Sequence, residues 1–310
     1  MLEIFRMKRA LPFMANAKPW FAVSVIAVVL SWAAIGLRGL NLGIDFTGGT
    51  VIEVSYPASI EVEAVRQKLA TVDLGDAIVQ NFGSSREVLI RVPVKPGVTS
   101  AQLSETVLAA LREREPKVEM KRVEFVGPQV GDELLWDGLL ALVVVSLGIM
   151  GYLAIRFEWK FSIGAVIATF HDVSIIFGLF ALFQWNFDLT ALAAVLAILG
   201  YSVNDTVVTF DRIRENFRRM RRGTVGDIID DAITNTLSRT ILTGTTTLMM
   251  VLAILFFGGD VLYYFSLALA IGILVGIYSS IFVASAVTYW LGISREDFIR
   301  PERKTQDAQV

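Results

Sequence analysis

Apolar residues gather along this chain in six blocks, and between the first and second the pattern switches to the shorter alternations of a water-exposed domain. The blocks are Trp20 to Leu37, Leu134 to Ile155, Phe161 to Phe183, Leu189 to Phe210, Thr240 to Phe257 and Val261 to Leu291. A bilayer takes about 20 apolar residues per helix, so the pattern predicts six membrane-spanning helices, the last with length to spare for tilt. Ser31-Trp32-Ala33 looks like a weak signal-cleavage site, but it lies inside an apolar run long enough to span, so an uncleaved first helix is expected.

Within the interruption, Gly49 to Tyr56 alternates as a strand and Ile60 to Val72 as a helix. Ala77 to Phe82 and Glu87 to Val92 read as strands around Gly83-Ser84-Ser85, Thr99 to Arg114 as a helix, and Val118 to Val126 as a strand. The order βαββαβ predicts a ferredoxin-like α+β sheet with both helices on one face. The layout expected is a segment at 1–19, a first spanning helix at 20–37, the α+β domain at 38–133, helices two to six over 134–291, and a tail at 292–310. A basic amphipathic loop occupies 211–238.

Composition agrees with the blocks: 54% of the 310 residues are hydrophobic and the mean hydropathy is +0.59. The chain has no cysteine and a single histidine, His171, which excludes disulfide staples, thiolate sites and any site needing two imidazoles. No cofactor or metal is expected. The net charge of -2 says less than its distribution. Arg6, Lys8, Arg9 and Lys18 precede the first block, two basic residues lie in Arg156 to Lys160, many in Asp211 to Ser238, and Arg295, Arg300, Arg303 and Lys304 follow the last. The links Gln184 to Asp188 and Gly258 to Asp260 have none. With six helices this bias predicts both termini in the cytoplasm and the α+β domain outside.

In the basic loop, Ile213, Phe217 and Met220 recur at helical spacing, Gly223 is placed as a cap, and Thr224 to Asp227 reads as a capping box for a second helix. Two amphipathic helices lying at the membrane surface are expected; basic residues just inside a membrane are usually topological, which argues against a nucleic-acid patch. The turn Gly43 to Gly49 has the glycine density of a phosphate loop, but no Gly-Lys-Ser/Thr follows and no helix is predicted to open on it.

Candidate chemistry lies inside the blocks. Asp205 falls in the fourth, where a charge costs roughly 2.5 to 3.5 kcal/mol on insertion scales. Ser202, Asp205, Thr206 and Thr209 share one helical face, with Asn204 beside them, so this stripe needs protein or water against it. A fifth helix opening at Arg239 carries a second stripe through Thr243, Thr246 and Thr247, and the third helix carries His171 and Asp172. Asp205 and Arg239 flank one loop at similar depth, which predicts an ion pair. The plain reading is a structural pair; the functional one is a proton relay, in which Asp changes charge while Arg keeps it. Asp172 with Asp205 also meets the count of an aspartyl protease, but no Gly-x-Gly precedes Asp205, and no Gly-x-Ser-x-Gly elbow occurs for a serine protease.

The stretch Gly200 to Asn216 resembles the fourth-helix motif of the SecD/SecF family of protein-export membrane proteins, within the resistance-nodulation-division superfamily. So do Gly43-Ile-Asp-Phe-Thr-Gly-Gly49, Val126-Gly-Pro-Gln-Val-Gly131, His171-Asp172, Ser238 to Thr243 and Ile277 to Phe282. The resemblance implies a half-sized, non-enzymatic transporter in the bacterial inner membrane. It would use the proton motive force to help draw secreted polypeptides across after the ATP-driven stage. SecD, the SecYEG channel and YajC are the implied partners. It assigns proton movement to Asp205 and Arg239, support to His171, Asp172, Ser202, Asn204, Thr209, Thr243 and Thr246, and a structural role to Gly43, Asp45, Gly48, Gly49, Gly127 and Pro128. A proton-coupled permease for small molecules or lipids is the alternative, since one helix architecture serves both. As one repeat of a pseudo-symmetric unit, the chain is expected to have the fourth-helix stripe partly covered by a partner, with Gly272 and Gly276 allowing close packing of the sixth helix.

Overall fold

The computed structural model describes residues 10–95 and 97–298. Arg6, Lys8 and Arg9, and Arg300, Arg303 and Lys304, on which part of the topology argument rests, lie outside the described residues. The first apolar block forms α1 (Ala17–Arg38), after which the chain turns through β1 (Asn41–Leu42) and α2 (Ile44–Thr47) into the α+β domain. That domain runs β2 (Gly49–Ser55), α3 (Val62–Ala70), β3 (Ile78–Phe82), β4 (Ser84–Val92), α4 (Ser100–Arg112) and β5 (Glu119–Val126).

The four long strands form one antiparallel sheet in the order β3-β4-β2-β5. Ile52 and Val54 of β2 and Val88 and Ile90 of β4 point into one core with Val65 and Leu69 of α3 and Leu103, Val107 and Leu111 of α4, so both helices cover the same face. Val51 and Leu89, one residue out of step, lie on the other face with Ile44. Thr99 and Gln102 form a reciprocal capping box that starts α4 one residue later than the periodicity alone predicts.

Five more helices follow: α5 (Pro128–Arg156), α6 (Trp159–Phe183), α7 (Leu189–Arg219), α8 (Val225–Phe257) and α9 (Tyr263–Ser279), the last extended by a π-helical segment, Ser280–Ala284, and α10 (Ser285–Trp290). Counting α9 to α10 as one rod, six helices among the described residues are long and apolar enough to cross a membrane. In their apolar windows 44%, 50% and 56% of residues are buried in α6, α7 and the last rod, against 11%, 11% and 17% in α1, α5 and α8. The first three therefore form the centre and the others flank it.

Glycine sets how closely the rods approach. A methyl group on Gly272 would enter the Ile198 side chain, and one on Gly276 would lie 3.3 Å from Ser202 Cβ, so the expected small-residue pair packs the last rod on α7 within this chain. Gly178 of α6 meets α1 so closely that a Cβ there would be 2.5 Å from Ser31 Cα.

The 211–238 region differs from expectation. No surface-lying helices form: α7 continues unbroken to Arg219, and α8 begins at Val225, not near Arg239. No glycine or proline stands between Asp211 and Arg219 to stop α7, and the apolar face of each extension is used internally. Ile213 and Phe217 pack with Ile228, Ile229, Ala232 and Ile233 in one cluster that also holds Met14, Phe157 and Phe161. That cluster leaves no apolar stripe for headgroups. The capping box at Thr224 and Asp227 is present, whereas Gly223, with φ 108, belongs to the turn after α7 has ended at Met220.

Candidate functional site

The glycine-rich turn holds the short helical turn α2, leads into strand β2 as expected, and anchors the α+β domain to the bundle. β1 pairs in parallel with β6 (Asn186–Phe187), and Gly43 N–H donates to Phe187 O at 2.8 Å. Asp45 Oδ2 accepts from Leu189 N–H at 2.9 Å, at the first turn of α7, where Asp188 caps Ala191 N–H. Burial pushes the Asp188 carboxyl above its usual range, opposed by hydrogen bonds from Thr190 and Ala191. From the sheet, Arg91 Nη1 donates to Asn41 Oδ1 and Leu42 O. At the other end of the turn, Gly48 and Gly49 have φ of 67 and 128. A Cβ on Gly48 would lie 2.9 Å from Pro128 Cα, and one on Gly49 2.7 Å from Val92 O. Gly127 precedes α5 as its N-cap and Pro128 takes the first helical position, where its missing N–H costs nothing. Gly43 and Asp45 thus hold the start of α7, and Gly48, Gly49, Gly127 and Pro128 the start of α5.

Asp205 lies midway along α7. Its Oδ1 accepts from the Thr240 hydroxyl of α8 at 2.7 Å, and its Oδ2 from the Ser280 hydroxyl at the start of the π-helical segment at 2.8 Å. The ion pair expected with Arg239 is not formed among the described residues: Arg239 is exposed, and its neighbour Thr240 takes the place against Asp205. The reason is helical rotation. Residues one apart on a helix point about 100° from each other, so α8 cannot present both to α7.

Asp172, on α6, is 1% exposed and has three side-chain partners. Ser202 of α7 and Ser279 of α9 both donate to its Oδ2, at 2.5 and 2.9 Å, and His171 Nδ1 lies 2.9 Å from its Oδ1. His171 Nε2 is buried without a hydrogen-bond partner among the described residues. The His171 ring stacks on Tyr278, whose hydroxyl donates to Trp20 O in α1.

The remaining expected residues divide by face. Ser202, Thr206 and Thr209 are at most 2% exposed, so this chain's own helices cover most of the α7 stripe, while Asp205 is half-buried. Asn204 is exposed. On α8, Arg239, Thr243 and Thr246 are all exposed, and both threonine hydroxyls turn back to carbonyls of their own helix. It is therefore α8 that offers an uncovered polar stripe on an otherwise apolar rod. The periodicity of α7 missed Thr240, Ser279 and Ser280; two adjacent serines inside the apolar run from Tyr263 to Trp290 were the available signal.

A half-buried carboxylate such as Asp205, held by two neutral hydroxyls, suits a group that changes charge. A hydroxyl can donate to a carboxylate or accept from a carboxylic acid, so a proton can arrive without leaving a polar atom unpaired. This is a multi-pass membrane protein with two carboxyl groups in its helical core, built among the described residues as six long helices and one inserted α+β domain.

Comparison with known proteins supplies the family. The profile described as protein export membrane protein SecD/SecF, C-terminal, matches residues 106–294, and that of the SecD/SecF GG motif matches residues 33–56. The protein translocase subunit SecF of Vibrio alginolyticus is 44% identical over 310 residues, covering 100% of this chain and 98% of its own. That of Pseudomonas aeruginosa is 44% identical, covering 94% and 95%. The crystal structure of SecDF, a translocon-associated membrane protein from Thermus thermophilus, superposes with a TM-score of 0.83 at 36% identity. It covers 94% of this chain, which spans 39% of the SecDF chain. The chain belongs to the SecD/SecF family of protein-export membrane proteins.

Proposed function

We propose that this chain is a non-enzymatic subunit of the Sec export machinery that couples the proton motive force to polypeptide movement. Asp205 is the group that gains and loses the proton. The observation that carries the reading is Asp205 itself, a carboxylate inside a membrane rod whose partners are the neutral hydroxyls of Thr240 and Ser280, with an exposed Arg239, without an ion-pair partner among the described residues, one residue from Thr240. A rotation of α8 by one residue's angle brings Arg239 in place of Thr240. Pairing in one state and its loss on protonation in the other supply the two-state element that a proton-driven cycle requires.

The exposed stripe of α8 is the face for a larger SecD partner, and the likeness to a part of a longer SecDF chain supports that assembly. SecYEG and YajC complete the surroundings in the bacterial inner membrane. The strand order β3-β4-β2-β5, with both helices on one face, fits the ferredoxin-like class. We place this domain on the periplasmic side, where it meets the emerging polypeptide. In mild detergent from its native membrane the chain is expected to co-purify with a homologous larger subunit having its own six helices. Recovery only as a monomer or self-dimer removes the half-transporter reading.

Orientation has its own test in this cysteine-free chain. Ser84→Cys, in the hairpin of the α+β domain, is expected to react with a membrane-impermeant thiol reagent added to the periplasmic side, and Thr224→Cys, between α7 and α8, to stay unlabelled. The opposite pattern inverts the topology.

A further inference from the structure

The two membrane carboxylates are joined through one point of the last rod. Ser279 holds Asp172 and Ser280 holds Asp205, and the two serines are consecutive residues where α9 passes into its π-helical segment. Each hydroxyl has one proton, and each also lies within reach of a carbonyl of its own helix: Ser279 of Gly276 O at 3.2 Å, and Ser280 of Ile277 O at 3.1 Å. A serine that releases its carboxylate therefore has an acceptor waiting. The backbone is adapted to this place, since Ser280 O accepts from the Ser285 hydroxyl five residues on, the spacing of a π turn.

Asp172 is the fixed end of the arrangement. It draws α6, α7 and α9 together through His171, Ser202 and Ser279, deep in the bundle. We infer that the His171–Asp172 pair is a positioning device for Asp205: by gripping Ser279 it sets the rotation of the last rod that points Ser280 at Asp205. The inference rests on Asp205 being the residue that changes charge, and it assigns Asp172 no proton of its own. When Asp205 is protonated, Ser280 turns to Ile277 O or accepts from the new O–H, and the Ser279 grip on Asp172 keeps the rod in register for the return.

Within five residues of Asp205, Thr240, Ser280 and Asp172 along their helices, the titratable or charged groups besides Asp205 are Asp172 and His171 on α6, Tyr278 on α9, Arg239 on α8 and Tyr201 on α7 itself. A test that leaves all of them in place is Ser279→Ala, which removes one hydroxyl not touching Asp205. Dicyclohexylcarbodiimide modifies protonated carboxyls in apolar surroundings, and peptide mass spectrometry resolves which residue it has labelled. In membranes containing the full complex, the pH profile of Asp205 labelling is expected to move toward higher pH by about one unit in Ser279→Ala, the size of effect that a weakened hydrogen bond to a charged group produces.

Ser279→Thr, which keeps the hydroxyl, is expected to restore the wild-type profile. Ser279→Cys, close in volume but a much weaker donor, guards against a packing defect in Ser279→Ala, and its profile is expected to move in the same direction. A profile that stays at the wild-type position in both Ser279→Ala and Ser279→Cys overturns the inference. The reading of Asp205 as the proton carrier is judged separately, by the secretion phenotype of Asp205→Asn.

Discussion

Asp205→Asn is expected to yield full-length, membrane-inserted protein that no longer supports proton-motive-force-dependent secretion, with export falling to the level of a strain lacking the chain. The amide keeps the shape of the carboxylate and can still accept from Thr240 while donating to Ser280, so the hydrogen-bond loss is about 1 kcal/mol. Against that, insertion no longer has to place a charge in the membrane, which offsets roughly 2.5 to 3.5 kcal/mol on insertion scales. The fold therefore survives while the charge cycle does not. What is lost is the coupling to a potential worth about 2.3 kcal/mol per charge per 100 mV. Normal secretion by Asp205→Asn at wild-type expression and intact potential would leave Asp205 a structural residue.

Arg239 gives a complementary expectation. Because it has no carboxylate partner among the described residues, Arg239→Ala is expected to cost little stability and yet to stop the cycle, since the state in which the pair forms is removed. Arg239→Lys keeps the charge without the planar fork and is expected to retain partial secretion. A structural ion pair predicts instead that Arg239→Ala loses folded protein and that Arg239→Lys, which keeps the charge, loses less.

The second large effect is mechanical. Gly178→Val is expected to reduce accumulation of folded protein severely, because its Cβ would stand 2.5 Å from the Ser31 Cα and backbone cannot retreat as a flexible side chain can. Overpacking of this kind typically costs 1 to 3 kcal/mol, and here the two rods must separate to relieve it. Separation also breaks the hydrogen bond from Trp32 Nε1 to Ser174 Oγ, which fastens α1 to α6. Ser31→Gly in the same chain is expected to give only slight rescue, since it removes Cβ and Oγ but leaves Cα. Limited proteolysis in membranes and thermal unfolding in detergent measure both variants; a Gly178→Val protein as stable as wild type shows that α1 is loosely held.

Six apolar blocks were legible because a bilayer imposes a length and a composition on any helix that crosses it, and that constraint acts on sequence directly. The βαββαβ order was equally plain, since strand and helix periods differ and turns such as Gly83 separate them. Asp205 and Asp172 stood out by the same logic: a carboxylate in an apolar run is costly, so it announces itself without any neighbour being known.

Which residues meet across the bundle was not legible. Depth along the helices placed Arg239 level with Asp205, but rotation about the helix axis decides contact, and rotation is set by where glycines such as Gly272, Gly178 and Gly244 admit a neighbouring rod. For that reason Thr240, Ser279 and Ser280, ordinary residues in an apolar helix, hold the two carboxylates, while the cation faces outward. The amphipathic pattern after Phe210 was ambiguous for a related reason, because an apolar stripe looks the same whether lipid or a second helix covers it. The sequence determined by itself how many rods there are and where their charges lie. Only the packing of α6, α7 and the last rod decided which side chains those charges touch, since that depends on side-chain volumes brought together from far apart in the chain.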